Sequence, residues 1–369
     1  MKFLLTCSAW LEAIAKNEII KQGWTIVEVK DRLVFFEWEI ELMAKINLWS
    51  RVWNKLYIVL NEAKNVDNFD KLYDSVYKID WKKYINKYYP IIIKATSIKS
   101  ILSSTPAIQK ITKKAIVDKM TNKSGNNMPE EKNKPIFEVF SFFIENNAYI
   151  LLNTSGETLY KRWYKAHTGK APIKESLAAA LVILSNWKYS ENFYDIFCGS
   201  WTIAIEAVMF ARNIAPGLYR YFSFENWDLL SKWYFDEIKD EAKEKIFPKK
   251  YSVIASDIDD EILQKAKINA KNAKVDDSIT FLKKDFREYK KEKMIWTIIS
   301  NPPYWLRLKN NDIKWLYKDI NMILDKNKEL SGWIITASYT NFDDLINLNH
   351  YKKRKLYNWN EMCYFYQKK

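Results

Sequence analysis

Glycine is scarce in this chain, at 7 residues in 369, where average usage of about 7% would give roughly 26. Glycine is the residue that takes φ > 0 without strain, so left-handed turns must fall on other residues. Cysteine and histidine are nearly absent, with 3 and 2 residues (Cys7, Cys198, Cys363, His167, His350). This excludes a disulfide framework and leaves too few ligands for a structural zinc site, so no metal is expected. No apolar run reaches the roughly 18 residues that a membrane span requires. The opening MKFLLTCSAWLEAIAKNEII offers only Phe3-Leu4-Leu5 before polar residues, too short for a signal-peptide core. A cytoplasmic enzyme or binding protein is expected.

The remaining composition is globular: 48% apolar and 28% charged. The length predicts roughly two or three domains. Lys plus Arg outnumber Asp plus Glu by 59 to 45, for a formal charge of +14. Such an excess suits a polyanionic partner, nucleic acid first, although an AT-rich gene that favours lysine codons would produce it too. Tryptophan is abundant, at 16 residues.

Hydrophobic periodicity divides the chain. In the first part, Leu11, Ile14, Ala15 and Ile19 fall on one helical face, and strands are predicted at 25–29, 33–36 and 55–60 around a helix at 39–47. The next part predicts helices near 69–79 and 108–120, and strands at 91–95, 137–144 and 148–153, with the polar loop 121–134 between. From about residue 171 the pattern becomes helix and strand in alternation, with strands at 193–197, 252–256, 279–282 and 296–300. That alternation implies a doubly wound parallel sheet in an α/β fold. Ligands bind such sheets at the carboxyl ends of the strands, so the loops after 197, 256, 282 and 300 matter most.

After the first of these strands, Asp195-Ile196-Phe197-Cys198-Gly199-Ser200-Trp201 runs into a helix. A small-residue turn at a helix start lets backbone N–H groups meet a carboxylate or phosphate. The second strand ends in Ser256-Asp257-Ile258-Asp259, where an acid can accept from ribose hydroxyls. A helix N-cap is the plain alternative for Asp257. Lys284-Asp285-Phe286 follows the third strand, a carboxylate and an aromatic fit to hold an adenine. The fourth is followed by Asn301-Pro302-Pro303-Tyr304. Two prolines fix φ and remove donors. The Asn301 amide oxygen and the Pro302 carbonyl then stand as acceptors for both hydrogens of an exocyclic amine, and Tyr304 offers a stacking surface. An ordinary proline-rich turn is the alternative.

The succession DIFCGSW, ASDID, KKDF and SNPPY resembles the class I S-adenosylmethionine-dependent methyltransferases that act on amino groups. With KRWYKAHTGKAPIKESLAAAL, NLWSR and KKRKLYNWNEMCYFYQ, the chain is similar to the bacterial 23S ribosomal RNA guanine-N2 methyltransferases that carry a THUMP module. The resemblance implies a ferredoxin-like unit over residues 1–60, a THUMP RNA-binding domain over 61–155 and a Rossmann-like methyltransferase domain over 156–369. It implies S-adenosylmethionine as cofactor and RNA as partner, large-subunit ribosomal RNA or tRNA. Asp195, Phe197, Gly199, Ser200, Asp257, Ile258, Asp285 and Phe286 would line the cofactor site, and Asn301, Pro302, Pro303 and Tyr304 the target base. The segment Ala171-Pro172-Ile173-Lys174-Glu175 would border both. A tRNA guanine-N2 or adenine-N6 methyltransferase and a non-catalytic RNA-binding assembly factor are the alternatives.

The chain departs from that family at glycines. Family glycines fall where this chain has Trp10, Trp38, Trp163, Trp201, Trp305 and Trp359. An Asn-Gly hairpin turn needs φ > 0 at both centres, which suits tryptophan badly. We read these tryptophans as UGA codons that the source organism decodes as glycine. UGG codons at 201, 305 and 359 would exclude this. Trp49, Trp187 and Trp333 fit as genuine tryptophans.

Overall fold

The computed structural model describes residues 1–124, 128–166, 173–199, 201–227, 229–303, 310–340, 342–346 and 350–368. The chain forms two compact units. One comprises Met1–Cys7, Ala15–Leu159 and Arg220–Asp240, the other Ser8–Ile14, Tyr160–Tyr219 and Glu241–Lys369.

The first unit holds β1 (Lys2–Cys7), most of α1 (Glu12–Lys21), β2 (Ile26–Lys30), β3 (Leu33–Glu37), α2 (Leu42–Trp49), β4 (Trp53–Ala63), α3 (Phe69–Tyr77), β5 (Ile91–Ile98), α4 (Thr105–Met120), β6 (Phe137–Ile144) and β7 (Asn147–Asn153). Its strands form one sheet in the order β2-β3-β1-β4-β7-β6-β5, antiparallel except for β5 against β6. The β4–β7 pair carries this sheet through both N-terminal segments that periodicity separates. No strand was expected at β1, whose Phe3-Leu4-Leu5 run is short. It lies between β3 and β4 with all three side chains fully buried, so burial on both faces decides its state. Between β6 and β7, Glu145 and Asn146 both take positive φ, 51° and 61°, as a two-residue type I′ turn requires.

The second unit holds α5 (Glu175–Ser185), β8 (Phe193–Asp195), α6 (Thr202–Ala211), β9 (Val253–Asp257), α8 (Asp260–Asn272), β10 (Ile279–Lys283), β11 (Trp296–Ser300), α9 (Asn310–Lys326), β12 (Leu330–Ala337), β13 (Tyr351–Asn358) and β14 (Glu361–Lys368); α7 (Lys232–Glu244) spans the division of the chain. The sheet order is β10-β9-β8-β11-β12-β14-β13. Its first five strands are parallel. β14 and β13 then add an antiparallel edge. The expected α/β, Rossmann-like sheet is therefore present. Helices α5 (ESLAAALVILS) and α6 (TIAIEAVMFA) are apolar nearly all round and correspondingly buried.

Candidate active site

Parallel pairing brings the carboxyl ends of β8, β9, β10 and β11 to one edge, and hydrogen bonds tie the loops that leave it. The Gly199 N–H donates to Asp257 Oδ2 at 3.0 Å, and the Asp259 N–H donates to Asp257 Oδ1 at 3.1 Å. Asp257 thus clamps the turn after β8 to the turn after β9. It does not cap α8; Asp259 does, accepting from the Ile262 N–H. The Asp257 carbonyl also accepts from the Lys284 N–H at 3.0 Å, which locks the third loop to the second. Each Asp257 oxygen accepts one N–H bond and keeps a lone pair for a further donor.

The other predicted cofactor residues divide. Ile258 is 65% exposed at this edge. Phe286 is buried and packs on Phe197, with ring centroids 4.7 Å apart. The Asp285 carboxylate accepts from the Arg287 N–H at 2.9 Å and forms a reciprocal cap with Glu288, so a local helical turn already uses it. Ser200 lies outside the described residues, as do Tyr304, Trp305, Ala171 and Pro172.

The fourth loop is set from below. Ser300, the last residue of β11, donates from its hydroxyl to Asp195 Oδ1 at 3.2 Å and accepts from the Ile196 N–H at 2.9 Å. Asp195 is buried, and burial pushes its carboxyl up to about 7. Next along the chain, Asn301 holds its carboxamide oxygen buried, with no hydrogen-bond partner among the described residues. An unmet buried acceptor costs roughly 1–3 kcal/mol, so this oxygen is placed to accept a further donor. Pro302 is buried behind it and Pro303 exposed.

A buried ionic cluster went unnoticed in the sequence. Glu206 of α6 accepts from Arg162 Nε at 3.0 Å and from the Tyr164 hydroxyl at 3.1 Å, and all three residues are at most 5% exposed. Lys165 pairs with Glu175 at 2.5 Å. Burial pushes the Glu175 carboxyl up despite that lysine. The signal was present: Glu206 is an acid inside an otherwise apolar helix, and such a charge needs a buried partner.

Backbone geometry singles out four tryptophans. Trp10, Trp201, Trp296 and Trp359 have φ of 71°, 62°, 84° and 58°. Three of these were suspected as glycine positions; Trp296 was not. Trp38 and Trp163 are not left-handed. The hairpin geometry also differs from expectation. Asn358 pairs with Glu361, so the turn centres are Trp359 and Asn360, not Asn358 and Trp359. Trp201 begins α6 and is 1% exposed.

Comparison with known proteins decides the family. Residues 162–367, more than half of the chain, match the RMKL-like methyltransferase domain. The chain belongs to the RMKL-like methyltransferase family. Within this family member, residues 2–57 match the RlmL ferredoxin-like domain and residues 66–153 the THUMP domain. A Bacillus subtilis protein, YpsC, a candidate RNA methyltransferase by name, is 35% identical over 96% of this chain and 92% of its own length. The ribosomal RNA large subunit methyltransferase K/L of Shewanella frigidimarina is 31% identical over 95% of the chain, which spans only 50% of that longer protein. Among solved structures, SMU.472, a candidate methyltransferase complexed with SAH, superposes with a TM-score of 0.90 at 33% identity, covering 99% of this chain and 97% of that one.

Proposed function

We propose that this chain transfers a methyl group from S-adenosylmethionine to the N2 amine of a guanine in large-subunit ribosomal RNA, acting in the cytoplasm. The observation that carries the proposal is the buried Asn301 carboxamide oxygen, without a partner among the described residues, at the carboxyl edge of a parallel sheet. The THUMP match, the K/L relatives and the +14 charge support RNA as the substrate. The SAH-bound neighbour supports the cofactor.

The edge fits that cofactor. Asp257 has lone pairs to spare for ribose hydroxyls, and exposed Ile258 offers an apolar face to a purine. Gly199, with φ of 42°, brings backbone close to that carboxylate. When bound, S-adenosylmethionine supplies a sulfonium-activated methyl group.

The chain's own residues hold and aim the nucleophile. A guanine rotated out of its stack would meet the Asn301 oxygen and the Pro302 carbonyl. Each accepts one amine hydrogen, which leaves the nitrogen lone pair directed at the methyl carbon. The nitrogen–carbon bond forms as the carbon–sulfur bond breaks, and the excess proton leaves to water. Ser300 and Asp195 fix where Asn301 stands, and orientation of this kind supplies most of the rate.

Unmodified large-subunit RNA and tRNA, incubated with methyl-labelled cofactor and the chain carrying glycine at positions 10, 201 and 359, then digested, test this. Label on guanine N2 is expected. Label on adenine N6, or on tRNA alone, would redirect the assignment, and no label on any RNA would refute it.

A further inference from the structure

We infer that the functional protein carries glycine at positions 10, 201, 296 and 359, its gene's UGA codons being read as glycine, and that position 201 governs cofactor binding. Bulky residues rarely take positive φ, because the side chain crowds the following carbonyl. In this chain the exceptions are selective. Of 14 left-handed non-glycine residues among those described, five are asparagine, which tolerates that region, and four are tryptophan. None of the described phenylalanines and tyrosines is left-handed, although the chain contains 19 and 23 of them. Aromatic bulk is thus excluded from left-handed positions except where the residue is tryptophan. Strain stored for catalysis would gather at one site. These four instead sit at a surface turn, a helix start, a strand start and a hairpin, and Trp10 and Trp359 are 59% and 50% exposed. The same codon reading makes up part of the shortage of glycine.

Position 201 has the functional consequence, which rests on the proposed cofactor. It follows the Gly199 turn that Asp257 clamps, and it opens α6. Its backbone N–H is drawn to the Cys198 carbonyl at 2.5 Å, and its buried indole N–H finds no oxygen acceptor among the described residues, with only the Cys198 thiol beside it. Glycine at 201 removes the strain and the indole together. Peptides of the protein purified from its source cells, read by mass spectrometry, test the decoding independently of any activity. Glycine masses are expected at all four positions, and tryptophan at 201 overturns the inference. With S-adenosylhomocysteine as probe, the recombinant Trp201→Gly chain should bind at least about tenfold tighter than the tryptophan chain; equal affinity overturns the role of position 201. Replacing the three more exposed residues together (Trp10→Gly, Trp296→Gly, Trp359→Gly) leaves no core cavity and should raise Tm. A lower Tm would count against glycine there.

A different observation carries a second proposal, which rests on RNA being the substrate. β13 is the edge strand of its sheet and reads Lys352-Lys353-Arg354-Lys355. Lys353 is occupied, paired with Asp343 and lying 3.7 Å over the Tyr364 ring. Lys352 and Arg354 are exposed on the opposite face and meet no acid among the described residues. Charge on an edge strand deters strand pairing, and one lysine suffices for that. We propose that Lys352 and Arg354 grip the RNA phosphate backbone. Binding of a large-subunit RNA fragment should weaken in a Lys352→Ala/Arg354→Ala variant, and its salt slope should fall by roughly 1–2. S-adenosylhomocysteine affinity should not change. Wild-type binding that the variant reproduces overturns this strip alone. No RNA binding by the wild type removes the strip and the RNA assignment together.

Discussion

The Ser300 hydroxyl donates to Asp195 Oδ1 across 3.2 Å, joining the end of β11 to the end of β8. One residue beyond Ser300 stands the carboxamide oxygen of Asn301, without a partner among the described residues. The placement of the proposed amine acceptor is therefore fixed by a contact between residues that lie 105 apart in the chain.

Asp195 gives a pH dependence. Burial, opposed by the Ser300 bond, pushes its carboxyl up to about 7, while an unfolded Asp titrates near ~4. Between those values the folded state keeps a proton that the unfolded state has lost, so stability falls as pH rises through this window. Asp195→Asn removes that titration. In urea unfolding, the variant should gain stability relative to wild type from about pH 4 to about pH 7 and no further above it. A difference that stays constant with pH would refute the raised carboxyl.

In the chain with glycine restored at positions 10, 201, 296 and 359, Asn301→Ala should reduce turnover by at least about 100-fold and leave S-adenosylhomocysteine affinity within about twofold, the pattern of a contact made to the reacting group. Single-turnover methylation and calorimetry together check this. Equal losses in both would mean that Asn301 shapes the cofactor site instead.

For Asp257→Ala the order reverses. The clamp between the Gly199 and Asp259 N–H groups goes, along with the proposed ribose acceptor, so cofactor affinity should fall at least about tenfold. Unchanged affinity would remove Asp257 from the cofactor site.

Glu206→Ala strands the Arg162 charge in the core and should cost about 3–5 kcal/mol in denaturant unfolding. Replacing the pair together, Arg162→Met with Glu206→Leu, should cost much less, because no charge is left buried. Equal costs would mean that shape, not charge, holds the 160–166 segment to α6.

The catalytic half was legible wherever chemistry and local structure coincide. The four loops after β8, β9, β10 and β11 were found because alternating strands and helices predict a parallel sheet, and parallel strands send their carboxyl ends to one edge. Asp285 shows the limit: its sequence context suited a purine, but no local pattern announced that its carboxylate also caps the adjoining turn. Glu206 shows another. Its place among apolar residues was visible, but Arg162 and Tyr164 are more than 40 residues away, and no local pattern names a distant partner.

Composition and local spacing by themselves determined the alternation of elements and the proline-locked corner at Asn301-Pro302-Pro303, because propensity and turn chemistry act over a few residues; the suspicion attached to Trp201 and Trp359 came from the family resemblance. The fold alone decided the rest. β1 became a central strand by burial between two neighbours. Asp257 became a clamp by the meeting of two loops, and the capping of α8 fell to Asp259. Trp296 takes its left-handed φ where β11 begins beside β12, its N–H donating to the Glu329 carbonyl. Each depends on contacts between distant segments, whose free energy exists only once the chain has closed on itself.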